Sequence, residues 1–345
     1  MRTIGVLVIA LSLLVGAVPA NASAGLAWQL TTTNSTARFR GLSAVDGRTA
    51  WAGGTAGTIL RTVDGGRTWA SVGPPGVADL QFRDIEAVDA DHAVALAIGE
   101  GELSRIYRTS NGGRTWTESF RNKDPKAFYD CFAFFDRRDG LAVSDPVDGK
   151  FRVLSTHDGG ASWTVLPTSG MPDALPGEAG FAASGQCLVT KGRDAWIASG
   201  GGAKARVYHS RDHGLTWTVS DTPLASSPSA GVFAVAFRDS RTGIAIGGDF
   251  AAPTAAKDAL AGTRDGGRTW RVPPSAPKGY RSGATYLPYL PTGIIAVGPT
   301  GSDLSLDNGN HWFQFDAGSF DTVDCGWDGQ CWAAGEQGRI AKLRW

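Results

Sequence analysis

One eight-residue pattern constrains this chain more than any other feature. It recurs six times in a single register. Three copies are Thr62-Val-Asp-Gly-Gly-Arg-Thr-Trp69, Thr109-Ser-Asn-Gly-Gly-Arg-Thr-Trp116 and Thr156-His-Asp-Gly-Gly-Ala-Ser-Trp163. The others are Ser210-Arg-Asp-His-Gly-Leu-Thr-Trp217, Thr263-Arg-Asp-Gly-Gly-Arg-Thr-Trp270 and the more degenerate Ser305-Leu-Asp-Asn-Gly-Asn-His-Trp312. Successive tryptophans lie 47, 47, 54, 53 and 42 residues apart. Self-similarity at such a period means a ring or stack of like units, each too small to bury its own core.

The residue types explain themselves locally. Asp64, Asn111, Asp158, Asp212, Asp265 and Asp307 can accept backbone N–H groups of their own turn, as Asx turns do. Glycine supplies positive φ without steric cost, and the tryptophan opens the next strand with a large apolar ring to bury. Roles for these side chains in catalysis or calcium binding are therefore not expected. Short β-branched and aromatic runs lie between the copies, such as Thr49–Gly54, Gly57–Arg61, Phe233–Phe237 and Gly243–Gly248. Bounded by glycine-rich turns, they read as strands, four per period, which is the signature of a propeller blade. The fold expected is all-β, a single seven-bladed β-propeller over residues 23–345, with six and eight blades as alternatives. Six units end at the boxed tryptophans. A seventh, from Phe320 to Trp345, has three strands and stops where its box should begin. Ala27–Thr33 can supply the missing outer strand, with Trp28 in place of the boxed tryptophan, which would close the ring and remove exposed sheet edges.

Composition narrows the function classes. The 33 basic residues cancel the 33 acidic ones, against the basic excess usual for nucleic-acid binding. The 42% apolar content rules out a disordered or collagen-like chain. At the N-terminus, Arg2 precedes an uncharged, largely apolar stretch that ends in Pro19-Ala-Asn-Ala-Ser-Ala24. This is the form of a secretory signal peptide, expected to be removed after Ala22. The expected product is exported, periplasmic or extracellular, and soluble. It holds 323 residues, roughly 46 per blade. In that compartment disulfides persist. Cys325 and Cys331 flank a hairpin turn and are expected to pair. For Cys131 and Cys187 pairing stays open beside the alternative of two small buried apolar residues. The five histidines are dispersed, and no metal site or cofactor is expected.

The six boxes match the Asp-box, and Gly57-Thr-Ile-Leu-Arg-Thr-Val-Asp-Gly-Gly-Arg-Thr-Trp69 resembles the photosystem II stability/assembly factor-like proteins over nearly the whole chain after the leader. The resemblance implies an exported, non-enzymatic seven-bladed protein that holds a protein or peptide partner in the envelope, a membrane protein included. A monomer is expected. The same box occurs in sialidases and some secreted polysaccharide hydrolases, so a glycan-binding glycoside hydrolase is the alternative.

Function should sit where the blade-to-blade connections and the loops between second and third strands gather, at the central mouth opposite the boxes. Blade-start positions there are Arg40, Arg83, Asp84, Tyr129, Asp130, Glu178 and Arg281. The second-to-third loops add Glu100, Asp145, Asp249 and Glu336. Many of these could equally be ordinary solvated charges. A sialidase-like site would draw on Arg40, Arg83 and Arg281 for a carboxylate and on Tyr129 with Glu178 as nucleophile pair. A two-carboxylate glycosidase would draw on Asp84, Asp130, Asp145 or Asp249, roughly 5–9.5 Å apart. Residues 144–150, 247–257 and the Pro167–Gly180 linker are the longest loops, where specificity tends to reside.

Overall fold

The computed structural model describes residues 25–255 and 257–345. The leader expected over residues 1–22 lies outside them. Seven antiparallel sheets follow one another along the chain. Their inner strands are Phe39–Ala44, Gln81–Ala87, Tyr129–Phe134, Leu188–Lys191, Ala230–Phe237, Gly283–Leu287 and Thr322–Cys325, in blades 1 to 7. The all-β, seven-bladed architecture is as the repeats predict. Among the described residues, two short 3-10 turns, Gly101–Leu103 and Thr168–Gly170, are the only helical segments.

Ring closure follows the expected route. Ala27–Thr31 pairs antiparallel with Ile340–Arg344 as the outer strand of blade 7. Trp28 is buried against Phe315 and Phe320, and its indole N–H donates to Ser302 Oγ of blade 6 at 2.9 Å. The first and last strands of the described chain thus share one sheet.

One expectation needs correction. Blade 5 has three strands, and its outer position is reduced to a bridge between Gly262 and Arg271. The next residues, Val272-Pro273-Pro274, cannot continue a ladder because proline brings no N–H. The boxed tryptophans are also not the deepest. Those with no exposure are Trp51, Trp196 and Trp332 on second strands. Each reaches the next blade, as where the Trp51 indole donates to the Asp89 carbonyl at 3.1 Å. Trp69, Trp116 and Trp163 are only half-buried at blade edges.

The repeated turns are self-contained. In the first, the Thr68 amide and hydroxyl donate to the Asp64 carboxylate at 3.0 and 2.7 Å, the Thr62 hydroxyl donates at 2.9 Å, and the Gly66 amide donates to Thr62 Oγ1. The same bonds recur around Asp158, Asp212 and Asp265. Bonds from Thr68, the side chain first, hold Asp64 at a pKa of about 2. Asn111 makes the turn with its amide donating to Thr115 Oγ1 at 2.7 Å.

Both cysteine pairs are disulfides. Cys325–Cys331 braces the first hairpin of blade 7, with Cα atoms 4.0 Å apart. Cys131–Cys187 ties blade 3 to the start of blade 4 across 56 residues of chain.

Candidate ligand-binding site

Antiparallel blades place first-to-second hairpins and boxes on one face, and second-to-third loops with blade connections on the other. The second face holds a cavity of about 400 Å³ at the mouth of the ring. Its polar lining is Arg38 and Arg40 at the start of blade 1, Arg83 in blade 2, Tyr280 before blade 6 and Asp321 before blade 7. One wall is aromatic. Phe181 stacks on Phe233 with centroids 4.0 Å apart, Tyr280 meets Phe233 edge-on at 4.7 Å, and Phe250 stands 52% exposed beside them.

The charges do not balance. Three guanidinium groups face a single carboxylate. Arg38 takes it, with Nε and Nη2 donating to Asp321 at 2.8 and 2.6 Å. Arg40 Nε lies 3.7 Å from the same carboxylate, too far for a hydrogen bond, and is buried without a partner. Arg83 reaches only neutral oxygens, the Ala182 carbonyl and Gln81 Oε1, each at 3.0 Å. Burial, reinforced by repulsion from Arg40 and Arg38, lowers the Arg83 pKa to about 10. Burial likewise lowers Arg40. Both remain cations near neutrality, held where an incoming anion would replace lost hydration.

Beneath this cavity the axis is closed. The segment Phe181–Gln186 leaves blade 4 and crosses the ring before its inner strand begins. The Arg83 guanidinium of blade 2 donates to the Ala182 carbonyl, and the Thr322 hydroxyl of blade 7 donates to the Ser184 carbonyl at 3.0 Å. Gln186 spans to blades 6 and 7, accepting from the Ala284 amide and donating to the Val323 carbonyl, both at 2.8 Å. At Gly185, φ is +78° and an added Cβ would collide with the Asp84 carboxylate. Below the crossing lies a second cavity of about 470 Å³, lined by Glu86 and Asp324 among others.

The expected site residues separate into groups. Arg40 and Arg83 line the mouth. Asp84 is buried lower down, accepting from the Phe132 amide of blade 3 at 2.8 Å, and burial raises its pKa strongly. Asp130 and Asp145 lie side by side under the mouth. Burial, then repulsion between them, raises Asp130 well above the ordinary carboxylate range, and burial raises Asp145 to about 6. Both carboxyls meet Gly180: Asp145 accepts from its amide at 2.7 Å, and a Cβ added there would lie 3.0 Å from Asp130 Oδ2, which is buried without a hydrogen-bond partner. Asp249 accepts from the Ala251 amide within its own loop. Glu100 and Glu336 remain exposed on their loops.

Three expected mouth residues serve the scaffold instead. Glu178 has no side-chain exposure, being bound by Arg206, by the Ser199 hydroxyl at 2.5 Å and by the Tyr208 hydroxyl at 3.1 Å. Arg281 is buried and donates to Asp303 at 2.7 Å and Thr300 Oγ1 at 2.7 Å. Tyr129 packs edge-on against Phe120 between blades 2 and 3. Glu178 and Arg281 turn back onto the second-to-third strand region of the blade they lead into, and Tyr129 turns onto the preceding blade, so each is buried before it can reach the mouth. Sequence reading missed Arg38, Tyr280 and Asp321. The available signal was alternation, since Arg38 and Arg40 flank the buried Phe39 and must share a face.

The sequence matches no protein-family description and no curated protein. Its structure is similar to that of YCF48 bound to a D1 peptide, with a TM-score of 0.65 at 15% identity over 91% of this chain and 96% of that one. YCF48 from Cyanidioschyzon merolae aligns with a TM-score of 0.63 at 14% identity, covering 92% and 99%. A GH74 xyloglucanase from Xanthomonas campestris aligns with a TM-score of 0.62 at 17% identity, over 92% of this chain. This chain spans about half the length of that enzyme, 53%. The likeness to photosystem II assembly factors read from the boxes therefore holds at the level of fold.

Proposed function

We propose that this chain is a non-catalytic binding propeller of the cell envelope, exported through its leader, whose mouth holds a peptide segment carrying an acidic group. The observation that carries this reading is the unbalanced arginine set, with Arg40 Nε buried and unpartnered beside an aromatic wall. A carboxylate can complete Arg40 and Arg83 at once, and Phe233, Phe250 and Tyr280 offer ring faces to the adjoining apolar side chains. The D1 peptide held by the similar YCF48 is a precedent for a peptide ligand on this fold.

The glycosidase alternative finds less support. Asp130 and Asp145 are packed against the same residue, Gly180, whereas a two-carboxylate mechanism needs room for a sugar between them. Tyr129 and Glu178, the other nucleophile pair, are engaged with separate partners.

Fluorescence anisotropy with labelled acidic peptides, and with the same peptides carrying Gln for Glu and an amidated terminus, tests the reading. The charged forms should bind more tightly. Arg40→Ala and Arg83→Ala should each weaken them by about 30-fold or more, the loss expected when one member of a desolvated charge pair is removed. Arg67→Ala, on the opposite face, should leave affinity unchanged. Equal binding of charged and neutral peptides by the parent protein, or turnover of aryl glycosides, would overturn it.

A further inference from the structure

The longest of the loops between second and third strands belongs to blade 5. Ten residues separate Asp249 from Leu260, where the other six blades use two to seven. A loop lengthened on a rigid scaffold is where specificity tends to reside. This one carries Phe250, whose ring meets Phe233 edge-on with centroids 6.1 Å apart. Fourteen large apolar side chains are conspicuously exposed among the described residues, and Phe250 is the one of them that lines the mouth. Phe181 is stacked on Phe233, while Phe233 and Tyr280 are only 2% and 6% exposed. Phe250 is therefore the ring of the aromatic wall that is left to cover.

The backbone that carries this ring is tied down. The Phe250 amide donates to the Ser229 carbonyl at 3.1 Å, and the Ala251 and Ala252 amides donate to the Asp249 carboxylate and carbonyl at 2.8 and 3.1 Å. From blade 6, the Tyr280 amide donates to the Pro253 carbonyl at 2.9 Å. At the preceding Gly279, φ is +108° and an added Cβ would stand 2.3 Å from that same carbonyl, so glycine is what lets the two segments meet. A side chain held out on an ordered backbone loses little freedom when it is covered. The charges of the loop fall at its ends. Asp249 is turned onto Ala251, while Lys257 and Asp258 lie at the far end, where the Asp258 carbonyl accepts from the Ala225 amide at 2.9 Å.

What covers Phe250 follows from what shares its cavity. The ring lines the same space of about 400 Å³ as Arg40 and Arg83. Such a volume is roughly 9 Å across, the span of about two or three extended residues. An anion on the two guanidinium groups and a group on Phe250 therefore belong to one residue or to close neighbours. The stretch Phe250-Ala-Ala-Pro253 brings no hydrogen-bonding side chain to meet a hydroxylated ligand. An aromatic or branched aliphatic side chain instead removes apolar area from water on both partners.

We propose that Phe250 is the specificity-determining contact of the mouth, selecting peptides in which an aromatic or branched aliphatic residue stands next to the acidic one or one residue removed from it. This rests on the reading of the mouth as an acidic-peptide site and adds a second determinant to it. The peptide lies across the mouth, with its acidic side chain reaching down to Arg40 and its apolar neighbour seated on Phe250.

Fluorescence anisotropy with a panel of labelled peptides provides the test. One set places phenylalanine or leucine on either side of a glutamate, adjacent or one residue away, a second carries alanine there, and a third carries glutamine for the glutamate. The parent should bind the best of the first set about tenfold more tightly than its alanine counterpart. Phe250→Ala should erase that difference and leave the affinity for the alanine peptide unchanged, while Phe250→Leu should restore part of it. Arg40→Ala should weaken both peptides by the same factor. Leu215→Ala, which truncates an exposed apolar residue on the box face of blade 4, should change neither. If the parent binds the alanine peptides as tightly as the first set, or if Phe250→Ala keeps the difference, the proposal is overturned while the acidic-peptide reading stands. If charged and neutral peptides bind alike, both fall. A Phe250-dependent dimer in sedimentation, or Phe250-dependent flotation with phosphatidylcholine vesicles, would also overturn it by supplying another occupant.

Discussion

Trp28→Ala tests whether the first strand locks the ring. Trp28 is 8% exposed and contacts Phe315 and Phe320, with ring centroids 5.9 and 5.5 Å away. Truncating a buried tryptophan costs about 3–5 kcal/mol through lost transfer energy and the cavity left behind. The change also strands Ser302 Oγ, fully buried and bonded to the indole, and an unsatisfied buried hydroxyl adds about 1–3 kcal/mol. A central figure is about 5 kcal/mol. In a chain of this size each kcal/mol moves the melting temperature by roughly 1.5 °C, so a fall of about 7 °C is expected. Scanning calorimetry and urea titration measure it. Trp28→Phe, which keeps ring packing but loses the N–H bond, should fall by less than half as much. If Trp28→Ala melts within about 2 °C of the parent, the Ala27–Thr31 strand does not secure the ring, and the closure described above is wrong.

Other expectations follow from the cross-links and the buried acids. From loop length alone, replacing both cysteines of Cys131–Cys187 should cost about 4 kcal/mol, and of Cys325–Cys331 about 2 kcal/mol. Urea midpoints that reverse this order would refute the chain-entropy explanation. Asp145, raised by burial to about 6, has a folded pKa above its unfolded value. Its contribution is therefore fully present below about pH 4 and lost as pH rises through 6. Asp130→Asn removes the competing carboxyl while leaving an N–H donor for Asp145. It should stabilise the protein relative to the parent by roughly 2 kcal/mol at pH 8 and by little at pH 4. Parallel pH profiles for the two proteins would refute the repulsion between the two buried carboxyls.

Much of the architecture was legible because its determinants are local. Each box needs only residues within four positions of its aspartate, so six copies and their spacing reveal the blades. The closing strand was legible by subtraction, from a last unit that stopped short. The Cys325–Cys331 pair was legible from the turn between them. The site was less so, because its contacts join distant residues. Arg38 and Asp321 are 283 positions apart, and Gln186 and Val323 are 137 apart. Phe181–Gln186 has no strand alternation to announce itself, and its conformation comes from three other blades. Glu178 follows a Pro- and Gly-rich linker that looks solvated, and only the fold reveals that Arg206 waits for it inside. The prolines at 273 and 274 did announce the missing outer strand of blade 5, a signal that the uniform four-strand repeat masked.

The crossing of Phe181–Gln186 limits the shape of any ligand. A ring open from face to face could be threaded like a bead, with a chain entering one side and leaving by the other. With Gln186 bonded to blades 6 and 7 across the axis, the mouth is a blind well, not a tunnel. A backbone that enters the well must therefore terminate there or fold back on itself, while a side chain can reach Arg40 from a segment lying across the mouth. Dissociation needs only withdrawal along the path of arrival, with no opening of the ring.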